Sequence, residues 1–173
     1  MNILKQFNSI SCFVFDMDGV LTDGSLLVLP EAVMARRMNI KDGYALQLAV
    51  KKGYRVLVIS GGNSAEVKER LAKLGISEVW MQVTDKAALL QKWLLDNQVS
   101  ATDVLFMGDD IPDLQIMQLA GLKTCPVDAA IDVKNAADYI SPLKGGEGCV
   151  REVIEKVMKL RGDWDTLTGL RAQ

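Results

Sequence analysis

The chain has 173 residues, of which 49% are hydrophobic and 24% are charged, and its net charge is −2. This composition is typical of a globular chain with a sizeable core, and it argues against disorder and against a nucleic-acid partner. No apolar run approaches the roughly 20 residues of a membrane span, and the first apolar run stops at Asp16, too early for a signal peptide. We therefore expect a cytoplasmic protein that does not enter the membrane.

Two residue types limit the chemistry that this chain can perform. The sequence contains no histidine, so carboxylates, lysine, hydroxyls, thiols or backbone groups must do any acid–base work. A bound metal should then be a hard cation held by oxygen atoms, such as Mg²⁺. The three cysteines, Cys12, Cys125 and Cys149, form no CxxC pair, which predicts reduced thiols in or near the core.

Strand and helix patterns alternate along the chain. Short apolar runs predict strands at 11–16, 55–60, 77–82, 103–108, 122–127 and 138–142. Helical spacing predicts helices at 42–53, 64–74, 85–97, 112–119, 130–136 and 148–160. Residues 25–29 and 33–38 flank the turn Pro30-Glu31-Ala32, which predicts a β-hairpin over 25–38.

This alternation predicts an α/β fold, a three-layer doubly wound and mainly parallel sheet with helices on both faces. We expect one domain over residues 1–160, from which the hairpin projects. The tail 161–173 has weak periodicity and is expected to hold little fixed structure.

Polar groups follow several of the predicted strands. Asp16 and Asp18 follow the first strand, Ser60-Gly61-Gly62 follows the strand "RVLVI", and Lys86 opens a helix. "GDDIPD", which holds Asp109, Asp110 and Asp113, follows the strand "DVLFM". Ligands bind beyond the carboxyl ends of the strands in such sheets. These groups should therefore meet in one crevice.

The combination suits phosphate chemistry. Clustered carboxylates repel one another unless a cation is present, and Mg²⁺ takes oxygen ligands of this kind. The Gly61-Gly62 turn brings backbone N–H groups to an anion, Ser60 adds a hydroxyl, and Lys86 adds a positive charge. One carboxylate can act as the nucleophile and a second, two residues on, as the acid and base.

Each signal has an ordinary structural interpretation when it is taken alone. An Asp-x-Asp pair is often a solvated strand end, "ISGGN" a tight turn, Lys86 a surface lysine, and "GDDIPD" an acidic helix start. The case for a site rests on their joint occurrence, in one order and each at a predicted strand end or helix start.

The set resembles the haloacid dehalogenase (HAD) superfamily of phosphatases, with "DMDGVLTDG", Ser60, Lys86 and "GDDIPD" matching its four motifs over residues 10–160. The resemblance implies that Asp16 is the nucleophile and Asp18 the general acid and base. It implies that Mg²⁺ is bound by Asp16, the backbone carbonyl of Asp18 and Asp109. Ser60 and Lys86 would hold the phosphoryl group, with Asp110 and Asp113 as acidic supports.

The intervals between the motifs leave no room for the cap domain that many HAD enzymes carry. A hairpin and one helix separate the first and second motifs, and a helix and a strand separate the second and third. An uncapped site is open to water. We therefore expect either a macromolecular substrate or a lid from a neighbouring subunit.

Two further segments, "MNIKDGY" (38–44) and "KGGEGCVREV" (144–153), resemble the capless 3-deoxy-D-manno-octulosonate 8-phosphate (KDO 8-phosphate) phosphatases. That resemblance implies a homotetramer in which the hairpin and the tail reach neighbouring sites, and a role in bacterial surface-polysaccharide precursor synthesis. It implies that the substrate is contacted by Asp18, Asn39, Ile40, Lys41, Asp42, Gly43, Gly61, Gly62, Arg70 and Lys86.

The chain departs from this family at two positions. Gln47 and Gly62 stand where many members carry arginines that could pair with the sugar carboxylate. Candidates to replace them are Lys41, Asn63, Arg70 and the tail residue Arg171. A nine-carbon substrate, KDN 9-phosphate, therefore stays open as an alternative.

Two other functions are possible on the same motifs. A phospho-signalling receiver domain also clusters aspartates, a hydroxyl and a lysine, but it carries its phosphorylated Asp on a middle strand. A catalytically idle relative that serves assembly would keep the fold without turnover. Rapid multiple turnover of phosphomonoesters would exclude the receiver domain. Mg²⁺-dependent phosphate release that is lost in Asp16→Asn would exclude the idle relative.

Overall fold

The structure is a computed structural model, and it describes residues 2–165. Its strands are β1 (Cys12–Phe15), β2 (Leu27–Val28), β3 (Met34–Ala35), β4 (Arg55–Ile59), β5 (Glu78–Trp80), β6 (Val104–Met107), β7 (Leu122–Cys125) and β8 (Tyr139–Ile140). Its helices are α1 (Ile3–Ser9), α2 (Ile40–Lys51), α3 (Ala65–Lys73), α4 (Lys86–Asn97), α5 (Leu114–Met117), α6 (Ile131–Ala136) and α7 (Cys149–Leu160).

Six strands form one parallel sheet in the order β5-β4-β1-β6-β7-β8, and β2 pairs with β3 as a separate antiparallel hairpin. The predicted α/β fold is confirmed. The chain moves outward from β1 to β4 and β5, then returns to place β6 on the other side of β1. The strand order thus reverses at β1, where a crevice opens beyond the carboxyl ends of the strands.

Alternating side chains of the central strands fill two separate cores. Phe13 and Phe15 of β1 face the layer of α1, α2, α3 and α7, whereas Cys12 and Val14 face α4, α5 and α6. Continuous apolar runs in the sequence follow from this burial on both faces. The three cysteines are free and buried, as predicted.

Helix α1 lies outside the predicted elements. It has seven residues, and Phe7 is the buried one among them. A helix this short is marginal in isolation. It is stabilised by packing against α7 and by Phe7, whose ring meets Tyr139 edge to face at 5.1 Å.

The start of the predicted tail is packed, which differs from the expectation of little fixed structure. Trp164 packs against the core and lies 5.5 Å from the Arg151 guanidinium. The Tyr54 hydroxyl donates to Asp163 at 2.5 Å. The rest of the tail, 166–173 with Arg171, lies outside the described residues. Within residues 2–165, none of the helices has the length and apolar character needed to span a bilayer.

Candidate active site

The loop after β1 turns sharply and holds two aspartates at the sheet edge. Residues Met17–Leu21 form a non-helical turn, in which Asp18 is extended, and Thr22 N–H closes it by donating to the Met17 carbonyl at 3.0 Å. Gly19 has φ +83°, and a Cβ at this position would lie 2.0 Å from Asp109 Oδ2. Glycine is therefore needed here both for the backbone conformation and for the close approach of Asp109.

A buried lysine links two of the predicted acids. Lys86 Nζ donates to Asp16 Oδ1 at 2.9 Å and to Asp113 Oδ1 at 2.7 Å. Lys86 is the first residue of α4, and Asp85 caps that helix by accepting from Ala88 N–H. The cap fixes where α4 begins, and so fixes the lysine beside the end of β1.

Asp109 and Asp113 play different parts in the cluster. Asp113 uses one oxygen for Lys86 and accepts from Asp109 N–H with the other at 3.0 Å. Asp109 Oδ1 is buried and has no hydrogen-bond partner among the described residues. Gly108 permits this arrangement, because a Cβ there would lie 2.5 Å from the Asp113 side chain.

Burial and mutual repulsion raise the pKa values of two acids in the cluster. Burial, with the charge of Asp113, raises the pKa of Asp16 to about 6 against the opposing effect of Lys86. Burial, with the charges of Asp16, Asp113 and Asp110, raises the pKa of Asp109 to about 7. Burial lowers the pKa of Lys86, but the two carboxylates outweigh it and the net direction is upward.

The cluster fits a magnesium ion. Oxygen atoms of Asp16, Asp109 and Asp113 lie within 4.8 Å of one another. All three are hard carboxylate donors, and the partnerless Asp109 oxygen is an uncompensated buried acceptor that a cation would satisfy. Because both oxygens of Asp113 are already bonded, Asp16 and Asp109 are the better ligands of the three.

The loop after β4 faces the acids. Ser60 is buried, and its hydroxyl accepts from Gly62 N–H at 3.0 Å, which closes a tight turn. A cavity of about 370 Å³ lies between this turn and the acids. Its lining includes Asp16, Asp18, Ser60, Gly61, Gly62, Thr84, Asp85, Lys86, Asp109, Asp110, Asp113 and Gln115. The structure thus brings the residues of the four motifs to one cavity.

An arginine that binds a carboxylate of this site is absent from the predicted set. Arg36, just after β3, donates through Nε to Asp18 Oδ1 at 2.7 Å and through Nη2 to Asp18 Oδ2 at 3.2 Å. The available signal was a pair of arginines in a mainly apolar hairpin. The spacing of residues in the sequence does not predict which of the two side chains, Arg36 or Arg37, points toward the cavity.

Several predicted sugar contacts lie outside this cavity. Asn39 caps α2 and donates to the Gly146 carbonyl at 3.3 Å, while Asp42 accepts from Arg151 N–H at 2.7 Å at the start of α7. Both therefore have structural roles that join the segments 38–44 and 144–153. Their contact with substrate stays a prediction.

The remaining predicted contacts line neighbouring surfaces. Ile40 and Arg70 line a groove of about 430 Å³ beside Arg36, and a Cβ on Gly43 would lie 3.1 Å from Arg70 Nη2. Lys41 lines a separate groove along α7. A role for these residues in substrate binding also stays a prediction.

Comparison with known proteins identifies similar sequences. The sequence model of the haloacid dehalogenase-like hydrolases matches residues 72–153. The KDO 8-phosphate phosphatase of Escherichia coli K12 is 28% identical over 168 residues, covering 97% of this chain and 89% of the relative.

Solved structures are similar over nearly the whole chain. A probable YrbI family phosphatase from Pseudomonas syringae is 33% identical, with a TM-score of 0.90 over 93% of this chain and 92% of that chain. A KDO 8-phosphate phosphatase from Moraxella catarrhalis, in complex with magnesium, phosphate and KDO, is 30% identical. Its TM-score is 0.89, with the same two coverages.

Proposed function

The chain belongs to the haloacid dehalogenase-like hydrolases, in the KDO 8-phosphate phosphatase (YrbI) family, and from that premise we propose that it hydrolyses KDO 8-phosphate to KDO and phosphate. One observation carries the reaction type. Lys86 bridges two buried carboxylates at the end of β1, beside an Asp109 oxygen that has no partner among the described residues. Such a cluster suits a phosphate and a cation together.

Asp16 is the proposed nucleophile. Its carboxylate oxygen attacks phosphorus, the bond from phosphorus to the sugar oxygen breaks, and Asp18 gives its proton to the leaving alcohol. Asp18 then takes a proton from a water molecule that attacks the phosphoryl group on Asp16. The bond from phosphorus to Asp16 breaks, inorganic phosphate leaves, and both aspartates return to their starting states.

The other residues of the cavity bind and orient the phosphate. Ser60, the backbone N–H group of Gly61 and Lys86 would hold the phosphoryl oxygens, while Gly62 N–H donates to the Ser60 hydroxyl and fixes the turn. Asp16, the Asp18 backbone carbonyl and Asp109 would hold Mg²⁺, with Asp110 and Asp113 as supports. When it is bound, the ion offsets the negative charge of phosphate and carboxylates.

The substrate assignment rests on the family of the chain and on its segments 38–44 and 144–153. KDN 9-phosphate is the alternative, since Gly62 and Gln47 stand where relatives carry arginines. Asn39, Ile40, Lys41, Gly43 and Arg70 are proposed to contact the sugar in the assembled protein. The Asp42 side chain is buried and caps α7, so a contact of Asp42 with the sugar would come from its backbone. The product would enter surface-polysaccharide synthesis in the cytoplasm.

The substrate test compares kcat/KM for KDO 8-phosphate and KDN 9-phosphate with Mg²⁺, alongside an aryl phosphate. We expect preference for the eight-carbon sugar and no turnover by Asp16→Asn. Preference for the nine-carbon sugar would support phosphatase activity and would make KDN 9-phosphate the proposed substrate. Absence of phosphate release from every ester would point to an idle relative that serves assembly.

The hairpin supports a proposed tetramer. Six large apolar side chains in the hairpin 25–38 are exposed, namely Leu26, Leu27, Val28, Leu29, Val33 and Met34. A projecting apolar hairpin of this kind is a pairing hazard unless another chain covers it. Val28→Glu should dissociate the assembly in light scattering, whereas Leu95→Glu, at a comparably exposed apolar position on α4, should not. A wild-type monomer at micromolar concentration would contradict the proposal.

A further inference from the structure

Arg36 is an inward-facing arginine on a mostly exposed hairpin. Its side chain is 5% exposed, and its guanidinium forms a two-pronged pair with the Asp18 carboxylate. The remaining prong, Nη1, donates to the Met34 carbonyl of the hairpin at 3.3 Å. The guanidinium therefore connects the backbone of the hairpin to the carboxylate of Asp18.

The neighbouring arginine makes an instructive contrast. Arg37 pairs with Asp23 through a single Nε contact at 2.9 Å, and its side chain is 73% exposed. Exposed pairs of this kind contribute little, because water screens the charges and both side chains lose freedom. In the pair of Arg36 and Asp18 the arginine is buried and the Asp18 side chain is 36% exposed, and the two-pronged contact fixes the planes of both groups as well as their separation.

The pair sets the direction of the Asp18 carboxylate. Oδ1 accepts from Arg36 Nε and also from the Thr22 hydroxyl at 3.4 Å, so this oxygen is held from two sides. Oδ2 lies over Gly62, since a Cβ built there would be 2.8 Å from Oδ2 and 3.4 Å from Arg36 Nη2. Oδ2 is thus placed beside the turn that would hold the phosphate.

We propose that Arg36 positions Asp18 for proton transfer, which makes the hairpin part of the catalytic machinery; this rests on the proposed role of Asp18. Arg36 acts through Asp18 and is a positioning residue. Gly62 contributes to the same arrangement, because a side chain at that position would occupy the space of the ion pair between Arg36 and Asp18. A role of Arg36 as a clamp for the substrate carboxylate fits less well, since its donors already bind Asp18 and Met34.

The test measures kcat/KM of wild type and Arg36→Ala, with Mg²⁺, on three esters. These are KDO 8-phosphate, a hexose 6-phosphate without a carboxylate, and an aryl phosphate with a good leaving group. We expect both sugar esters to lose on the order of 10²-fold, as a misplaced catalytic group costs about that much. The aryl ester should lose several-fold less, because its leaving group needs little protonation.

A second measurement follows the step in which Asp18 activates water to hydrolyse the phosphoryl group on Asp16. With aryl phosphate, Arg36→Ala should accumulate a phosphoryl group on Asp16, detected by mass spectrometry of the quenched protein. Arg36→Lys should recover part of the lost activity. Arg37→Ala, the exposed neighbour, should behave as wild type on all three esters.

A double mutant tests whether Arg36 affects activity through Asp18. If Arg36 acts through Asp18, adding Arg36→Ala to Asp18→Asn should cost less than twofold. A full additional loss in that background would contradict the proposal. So would an equal loss on all three esters, which indicates a general structural defect, or an increase in activity.

The outcomes also separate this inference from the proposed function. A loss confined to KDO 8-phosphate would overturn the positioning role in favour of a carboxylate clamp. A wild type that hydrolyses the hexose and aryl esters but not KDO 8-phosphate would overturn the proposed substrate alone, and the Arg36 comparison would proceed on the other two. A wild type inactive on every ester would contradict both.

Discussion

Two buried aspartate sites in this molecule have similar acidities and different surroundings. Burial raises the pKa of Asp16 in the cavity and of Asp42 at the start of α7, each to about 6. Asp16 lies among other carboxylates around one lysine, whereas Asp42 accepts from backbone N–H groups at Gly148 and Arg151. A raised pKa therefore marks burial in both cases, and only the neighbouring groups distinguish the proposed nucleophile from an architectural carboxylate.

The two sites are also connected. Asp42 caps the start of α7, and the glycine loop before α7 packs on the loop that carries Asp16. Gly146 N–H donates to the Val20 carbonyl at 2.9 Å, and a Cβ on Gly145 would lie 1.9 Å from the Gly19 carbonyl oxygen. Asp42 thus holds the segment that packs against the loop of the proposed nucleophile.

The largest expected effect separates activity from stability at Asp16. Asp16→Asn should lower turnover on the order of 10⁴-fold or more, as loss of a nucleophile does. The melting temperature of the metal-free protein should stay the same or rise, because one repelling carboxylate is removed and Lys86 keeps Asp113. Phosphate release and thermal unfolding measure the two effects. Retained turnover would contradict the reactive role of Asp16.

A smaller effect is expected where shape matters more than charge. Gly62→Ala should lower kcat/KM on the order of tenfold, because the new methyl group would meet Asp18 Oδ2 at 2.8 Å. Gly61→Ala is the matched variant, since its nearest neighbour would be the Val83 carbonyl at 3.8 Å. Steady-state kinetics should rank Gly62→Ala well below Gly61→Ala. Equal losses would show that Asp18 is not confined as the structure has it.

Magnesium affinity should depend on pH at the reactive site. The raised pKa values of Asp16, about 6, and Asp109, about 7, mean that protons occupy these ligands as pH falls. Protons compete with the metal for these carboxylates. Below this pH range, Mg²⁺ affinity should fall by about tenfold per pH unit for each proton that the ion must displace. Calorimetric titration with Mg²⁺ at pH 5.5 and 7.5 measures it. Equal affinity at both values would indicate other ligands.

The smallest effect on activity is expected at Asp42. Asp42→Ala should lower the free energy of unfolding by about 1–2 kcal/mol through loss of the cap, with kcat/KM within a few-fold of wild type. The native pKa of about 6 exceeds the ordinary 3.8, so the folded state keeps this proton longer. The contribution of Asp42 to stability then falls as pH rises from about 4 to 6. We would measure the free energy of unfolding with denaturant at several pH values in that window. It should fall less with rising pH in the variant than it does in wild type.

The sequence was sufficient to predict the sheet and the acid cluster because both depend on local signals. Buried strands read as continuous apolar runs, and parallel strands end at a common edge. Residues that follow β1, β4 and β6 must therefore lie near one another. This geometry places Asp16, Ser60 and Asp109 on one cavity without any knowledge of long-range contacts.

The contacts that could not be predicted join distant segments. The pair of Arg36 and Asp18 depends on the direction in which the hairpin folds back, which no local pattern specifies. The cap that Asp42 provides spans 109 residues. Helix α1 was missed because packing on α7 stabilises it more than its own sequence does.

The central claim is that Asp16 carries the phosphoryl group during a magnesium-dependent reaction. The most direct test quenches the protein during turnover of an aryl phosphate with Mg²⁺, digests it, and locates the phosphoryl group by mass spectrometry. The account predicts one phosphoryl group on Asp16, which is absent without Mg²⁺ and absent in Asp16→Asn. A phosphoryl group on another residue, or turnover that persists in Asp16→Asn, would contradict it.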